Sequence, residues 1–401
     1  MNILFISCAY SETQKEEFQA KSKRGYQYAA QNFQEALFDG FLNNSEVHLK
    51  VLSIPSLSTY PKGSSIVWVK DKSFVFNGNK IGESFGFANL PLCNHFRQSR
   101  IDSHIDKWYE NMSGDKCIIV YAMLKTQMQY AVAAKKRHPD IKLCLVVPDL
   151  PMYMNCNKYY KILGLQKRDI KAINTLLHSF DCYVVLAEPM IEQLKNKAKP
   201  YVVVEGIYSN NSCVSDYIEK LPNKTIMYAG GIQTRYGVFD LIEAFHRIKN
   251  ENYRLILCGP CLEMDKLNHY TSSDSRIEYR GLLPTDEVRV LQKKVTILVN
   301  PRHSTEEFTK YSFPSKTLEY MASATPVLMC SLPSMPKEYK QYLYLFKDES
   351  IEGMKQMIEE VLSFKFSELI SKGNAAKDFI YKNKNAEIQT KKILQLIKFN
   401  G

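Results

Sequence analysis

Residues 300–327 read NPRHSTEEFTKYSFPSKTLEYMASATPV. An apolar strand at 296–299 runs into this stretch, a polar loop follows, and a short helix comes after the loop. Proline suits the first position of a helix, because its missing N–H is one that a helix end leaves unpaired anyway. Pro314 is therefore expected to open the helix, with free N–H groups at Ser312, Phe313 and Ser315 facing outward as an anion site. Lys316 falls in that first turn, where the helix dipole disfavours a cation unless a negative ligand overrules it. Glu319 is three residues further on, on the same face. Two readings stand side by side. One is a solvated Lys/Glu surface pair, nearly neutral in energy. The other is a phosphate held by the helix tip and Lys316, with Glu319 one turn deeper accepting hydrogen bonds from sugar hydroxyls.

The same strand-to-helix alternation extends in both directions. Towards the N-terminus, apolar runs at 3–8, 47–54, 117–122, 143–147, 182–186 and 201–204 are separated by helical stretches such as 26–41 and 126–137. Continuous apolar strands between helices predict an α/β domain whose parallel sheet is covered on both faces, with ligands beyond the strand C-termini. A turn-rich segment at 206–224, GIYSNNSCVSDYIEKLPNK, reads as a linker. A second series follows at 225–228, 254–257, 277–279, 296–299, 326–329 and 342–346. With 401 residues, 45% hydrophobic and 12% aromatic, the chain has the length and apolar content for two such cores.

The segment FPSKTLEYMASATPV resembles the donor-binding signature of retaining GT-B glycosyltransferases of family 4, in particular the bacterial capsule, O-antigen and exopolysaccharide branch with its YSFPSK-x-x-EYMA-x-x-TPV pattern. The resemblance implies an α/β, GT-B fold: two Rossmann-like domains with parallel sheets facing a central cleft. The implied division is an acceptor-binding domain at 1–205, a donor-binding domain at 206–383, and a helix at 384–401 crossing back to the first domain. The implied activity is hexosyl transfer from a nucleotide-diphosphate sugar to a hydroxyl of a glycan or lipid-linked acceptor, with retention, in capsule or lipopolysaccharide synthesis. The family signature has two glutamates separated by seven residues. Aligning the second on Glu319 puts Tyr311 in place of the first, and Glu306 and Glu307 are nearby substitutes.

Other segments extend the resemblance, each with a departure. In YAGGIQTRYGVFDLIEAF, 228–245, Gly230 and Gly231 permit close backbone approach to a ligand. The family carries an arginine and a lysine around this loop; this chain has Gly231 and Tyr236 there. Arg235, one step away, is the candidate phosphate clamp, against a plain solvated loop arginine. RGLLPTDEV, 280–288, combines Gly281 with a capping Thr285. It matches the loop whose backbone holds the nucleobase, which places Leu283 beside the donor.

Asp149, at the end of the 143–147 strand, is either an acceptor-orienting group or base or a turn cap. Where the family often has His-Asp, this chain has Pro148. The polar loop 9–25 lacks a G-x-G-x-x-G fingerprint, so a dinucleotide cofactor is not expected. It suits the acceptor side, and Gly25 is the single glycine where the family has a pair. The aromatic-rich segment 58–99 reads either as an elaborated loop carrying short strands, packed on its own aromatics, or as an acceptor-recognition element.

Composition narrows the function classes. Ten cysteines lie scattered, among them Cys8, Cys117, Cys144, Cys182 and Cys330 in apolar strands, as buried reduced thiols do. Cys258-Gly-Pro-Cys261 has the form of a redox motif, but the surroundings favour a glycine-bearing turn. The net charge of +11 comes with 42 acidic residues and dispersed lysines, so no nucleic-acid partner is expected. Phosphorylated substrates or an anionic membrane fit the charge better. No apolar run reaches the about 20 residues that span a bilayer, and the first residues, MNILFISCAYSE, lack a basic region before a long apolar one. The expectation is a cytoplasmic protein. The Met/Tyr/Lys mixture at Met152, Tyr153, Met154, Tyr159, Tyr160 and Lys161 suits either ordinary packing or peripheral contact with the inner membrane surface. No D-x-D pair occurs in the chain, so no metal and no cofactor are expected; basic groups take the place of a metal at the diphosphate. A GT-B nucleotide-sugar epimerase and a non-catalytic GT-B partner subunit are the alternatives.

Overall fold

NILFIS at Asn2–Ser7 is buried at every position, as a strand covered on both faces must be. It is β1 in the computed structural model, which describes residues 1–23, 27–90, 98–153, 162, 164–194, 198–209 and 218–399. The chain divides into two units, Met1–Ile207 with Ala386–Gly401, and Tyr208–Asn385.

In the first unit the further strands are β2 (His48–Ser53), β3 (Trp68–Val69), β4 (Lys72–Phe76), β5 (Asn79–Ser84), β6 (Phe87–Ala88), β7 (Lys116–Tyr121), β8 (Lys142–Val147), β9 (Cys182–Val185) and β10 (Tyr201–Val203). Seven of them join β1 in one sheet of eight strands, in the order β10-β9-β8-β7-β1-β2-β5-β4. Every neighbouring pair is parallel except β4 with β5. The helix Ala386–Phe399 buries Ile393, Leu394 and Ile397 in this unit's core. It lies close to the helix Tyr28–Leu42 because Gly40 has no side chain: a Cβ there would meet Thr390 Cγ2 at 2.6 Å.

Two sequence expectations need correction here. The 58–99 excursion is more than a loop packed on itself, since β4 and β5 form a hairpin that extends the main sheet through the parallel β2–β5 pairing. The 9–25 loop contains a helix, Glu12–Lys21, held by buried Phe18 and by Gln14, which accepts a 2.8 Å hydrogen bond from Ser84. Arg24, Gly25, Met154, Tyr159, Tyr160 and Lys161 lie outside the described residues, whereas Met152 and Tyr153 are exposed.

The second unit is wound on the strands β11 (Lys224–Ala229), β12 (Tyr253–Cys258), β13 (Ile277–Tyr279), β14 (Ile297–Asn300), β15 (Val327–Met329) and β16 (Tyr344–Leu345). Their order is β13-β12-β11-β14-β15-β16, all parallel. The last strand is shorter than its apolar run because a 3₁₀ turn, Lys337–Tyr342, takes up its start. From β11 the chain winds outward to β12 and β13, then returns to the other side of β11 as β14. The C-terminal ends of β11 and β14 are therefore neighbours at the point where strand order reverses, which is where open parallel sheets place ligands. The loops leaving them, 230–237 and 301–314, carry the sequence candidates. Among the described residues, no helix is long and apolar enough to cross a membrane.

Candidate active site

The end of β11 is fastened to the helix Ser315–Ala322. Tyr320, fully buried, accepts a hydrogen bond from the Ala229 amide at 2.8 Å and donates to the Ala229 carbonyl at 3.1 Å. This brings the first helical turn against Gly230, where a Cβ would stand 3.2 Å from Lys316 Cε and 2.6 Å from the Tyr228 hydroxyl. Tyr228 in turn donates to the Gly231 carbonyl at 3.1 Å. Gly237, at φ +70°, presses on the Pro301 carbonyl with no room for a side chain, so the loop bearing Arg235 and Tyr236 is seated on the loop that begins at Pro301. Both close approaches need glycine.

Pro314 is the N-cap residue, at φ −68° and ψ 114°, and the helix begins at Ser315. This corrects the expectation that proline opens the helix; an extended ψ at Pro314 holds it one residue outside. Its carbonyl accepts the first helical hydrogen bond, from Thr317 N at 2.9 Å. The approach to the helix is fixed from below. Phe313 is buried against Tyr339, with ring centroids 5.0 Å apart, and the Ser312 carbonyl accepts from Ser334 at 3.0 Å. Ser315 is exposed at the tip, and Lys316 follows it in the first turn, half-buried. Tyr311 ends the 3₁₀ turn Glu307–Lys310.

Lys316 and Glu319 form no ion pair, so the surface-pair reading is not what the fold builds. Burial holds the Lys316 ammonium below the ordinary lysine value, with the Glu319 carboxylate partly opposing and the Arg302 charge adding to the effect. Glu319 itself is exposed. Arg235, in the 3₁₀ turn Thr234–Tyr236, is exposed and lies 5.1 Å from the Tyr236 ring and 5.2 Å from the Phe308 ring. Arg302 approaches the same two rings at 5.1 and 5.2 Å. Arg302 was not singled out in the sequence. Its only signal was a basic residue two positions beyond a strand end.

Leu283 is half-buried against the core of the second unit, in the turn before the helix Thr285–Lys294. Pro284 occupies the N-cap there and Thr285 is the first helical residue with no side-chain cap, which corrects the capping role expected of Thr285. Cys258 and Cys261 are free thiols. Burial raises Cys258 to about 11, opposite to what a redox-active thiolate requires. Gly259, at φ +126°, packs on the backbone of Gly230, so this motif is a structural turn. Asp149 belongs to the first unit, just beyond β8. Its side chain keeps an exposed surface while neighbouring protein raises its carboxyl above the usual range. Among the described residues, no cluster of three or more His, Cys, Asp or Glu is placed to hold a metal ion.

The family model of glycosyl transferases group 1 matches residues 223–363, which include every site element of the second unit from β11 to Glu319. The protein is a glycosyltransferase, and its fold is the GT-B fold that the resemblance implied. Three solved structures share this fold. The sucrose-phosphate synthase of Thermosynechococcus elongatus has a TM-score of 0.63 at 12% identity, covering 100% of both chains. The lipopolysaccharide outer core galactosyltransferase WaaB, in its apo form, has 0.60 at 17%, covering 98% of this chain and 100% of that one. Anabaena HepE, in complex with UDP, has 0.64 at 12%, covering 98% and 100%. No curated protein matches the glycosyltransferase by sequence.

Proposed function

We propose that this glycosyltransferase moves a hexosyl group from a nucleoside diphosphate sugar to a hydroxyl of a glycan or lipid-linked acceptor, retaining the anomeric configuration, in bacterial surface polysaccharide synthesis at the cytoplasmic face of the membrane. The observation that carries the proposal is the position of Lys316. It is in the first turn of a helix, where the dipole opposes it, its ammonium is destabilised by burial, and among the described residues it has no ion-pair partner, packed against a glycine where a Cβ would crowd it. An anionic ligand removes all three penalties at once.

In this reading the diphosphate lies across the helix tip, contacted by Ser315, Lys316 and Arg235, with Gly230 and Gly231 allowing backbone approach. Glu319, exposed one turn deeper, accepts from ribose hydroxyls. Tyr311 faces the sugar, and the backbone around Leu283 takes the base. The bond from the anomeric carbon to the diphosphate oxygen breaks, the acceptor oxygen takes its place, and the acceptor proton leaves with the diphosphate. Negative charge grows on the departing diphosphate, where pre-placed cations are most effective. The cationic residues serve this purpose without a metal ion. HepE carries UDP in its solved complex, and a trehalose-6-phosphate enzyme of the same fold is seen with UDP-2-fluoro glucose. These relatives support a nucleotide-sugar donor, and the net charge of +11 supports anionic substrates.

The test is a donor-hydrolysis screen across nucleoside diphosphate sugars, with the released sugar followed by NMR. One donor is expected to be hydrolysed slowly, giving the sugar in the donor's anomeric configuration. Release of an epimerised sugar, inverted sugar, or no hydrolysis of any donor would contradict the proposal.

A further inference from the structure

Two arginines in the second unit are surrounded by protein, and their environments differ. Arg276, 6% exposed, satisfies its guanidinium fully. It donates to Asp274 through Nε at 2.9 Å and Nη2 at 2.7 Å, and to the carbonyls of Ile248, Asn250 and His246. This is how a structural arginine reads, since a buried donor left unpaired costs the fold. Arg302 has none of this. Among the described residues its Nε is buried without a hydrogen-bond partner, and its guanidinium lies over the Tyr236 and Phe308 rings, 5.1 and 5.2 Å from their centroids.

The carboxylates beside the next residue, His303, are engaged there. Asp240 and Glu349 both contact the neighbouring His303, at 2.7 and 3.4 Å, and Glu349 also accepts from Ser304 N at 2.8 Å. Burial holds the Arg302 guanidinium below its ordinary value, the Tyr228 and Tyr236 phenols oppose this and the Arg235 charge adds to it, while the Arg302 charge in turn adds to the effect of burial on Lys316. Tyr236 and Phe308 meet edge-on, 6.3 Å apart, and each presents its ring to both guanidiniums. Ring faces accept cations but satisfy no N–H fork. The fold thus brings cations from the loop after β11 (Arg235), the loop after β14 (Arg302) and the first turn of the following helix (Lys316) to act on one site, with Glu319 as the carboxylate that partly offsets Lys316.

We propose that Arg302 is a direct contact of the donor's diphosphate, its N–H fork taking the β-phosphate oxygens beside Lys316 and Arg235. The inference rests on the donor reading above and adds a residue to it. Arg302 supplies, from the loop after β14, a charge that the loop after β11 lacks at Gly231 and Tyr236. The aromatic pair holds both guanidiniums in place, so the fork is oriented before the ligand arrives and little side-chain freedom is lost on binding.

The experiment measures binding of matched nucleoside mono- and diphosphates, across the common bases, to the full chain and to Arg302→Gln and Arg302→Lys. The wild-type chain should bind one diphosphate. Arg302→Gln should weaken that diphosphate on the order of 10- to 100-fold, the cost of a lost charge-assisted contact, and leave the matching monophosphate within about threefold. Arg302→Lys keeps the charge and loses the fork, so a smaller but still diphosphate-selective loss is expected. Equal losses for both ligands, or none, would overturn the inference and leave the donor reading intact. If Arg302→Gln fails to fold, Arg302→Lys decides, and an unchanged diphosphate affinity there counts against Arg302. A wild-type chain that binds no nucleoside diphosphate overturns the donor reading and this inference together.

Discussion

Gly230 lies beneath Lys316: a Cβ at position 230 would stand 3.2 Å from Lys316 Cε and 2.6 Å from the Tyr228 hydroxyl. Gly230→Ala therefore pushes on the lysine through the side of the site. We predict a loss of turnover on the order of 10- to 100-fold, as small misplacements of catalytic groups produce, with a destabilisation of about 1–3 kcal/mol from overpacking. Steady-state kinetics beside a denaturation curve checks it; normal turnover would mean that the lysine is free to move aside without consequence.

Lys316→Met should separate stability from activity. Burial lowers the Lys316 pKa in the fold, so between the folded and unfolded values the unfolded chain holds more protons and wild-type stability rises with pH. Below that window the ammonium is charged in both states and weakens the fold. The methionine variant should therefore melt a few degrees higher than wild type at neutral pH, with the gap closing as pH rises through the window, while turnover falls on the order of 100-fold. A variant that melts lower and keeps its rate would make Lys316 a structural residue.

Much of this architecture can be read from apolar runs alone. The buried parallel strands announce themselves because both their faces are covered, as in NILFIS at 2–7. Elements with only one or two buried positions do not. Glu12–Lys21 buries Gln14 and Phe18 and is otherwise polar, so it reads as loop. The hairpin β4–β5 sits at a sheet edge, where alternation is weak and its aromatics suggest local packing. In the candidate site, Lys316 and Glu319 stand out because both lie in one stretch with helical spacing. Arg302 does not, because its meaning depends on Tyr236, and the two are joined only when Gly237 seats one loop on the other.

Glu319→Gln should weaken both the intact donor and the free nucleoside diphosphate, since both carry the ribose. The exposed carboxylate forms no ion pair in the fold, so its loss costs little stability, while a lost charged acceptor weakens binding by about 1.5–3 kcal/mol. Calorimetry showing unchanged nucleotide affinity would remove the ribose assignment.

Asp274 is the acid-sensitive point of the second unit. Hydrogen bonds from the Arg276 side chain, the Arg276 backbone amide and His246 hold its carboxyl at about 2. A carboxyl depressed in the fold stabilises above its unfolded value and loses that contribution as pH falls through the folded one. Wild type should thus lose stability between roughly pH 4 and pH 2. Asp274→Ala leaves Arg276 buried without its counter-charge, should cost about 3–5 kcal/mol at neutral pH, and should flatten the acid dependence. Denaturation at several pH values follows both effects, and a variant with the wild-type acid profile would contradict the assignment.

The central claim is that basic side chains and a helix tip, in place of a metal ion, hold the donor diphosphate. Magnesium binds such substrates through one or two carboxylates beside the phosphates, and the groups assigned to the phosphates here, Lys316, Arg235 and Arg302, are already positive. The most direct measurement is the rate of hydrolysis or transfer from the identified donor with and without EDTA, repeated at raised salt. The rate in EDTA should stay within about twofold of the untreated rate, while salt should weaken donor binding by screening the exposed part of the cationic cluster. Activity abolished by the chelator and restored by magnesium or manganese would contradict the assignment of the phosphate site and the mechanism built on it.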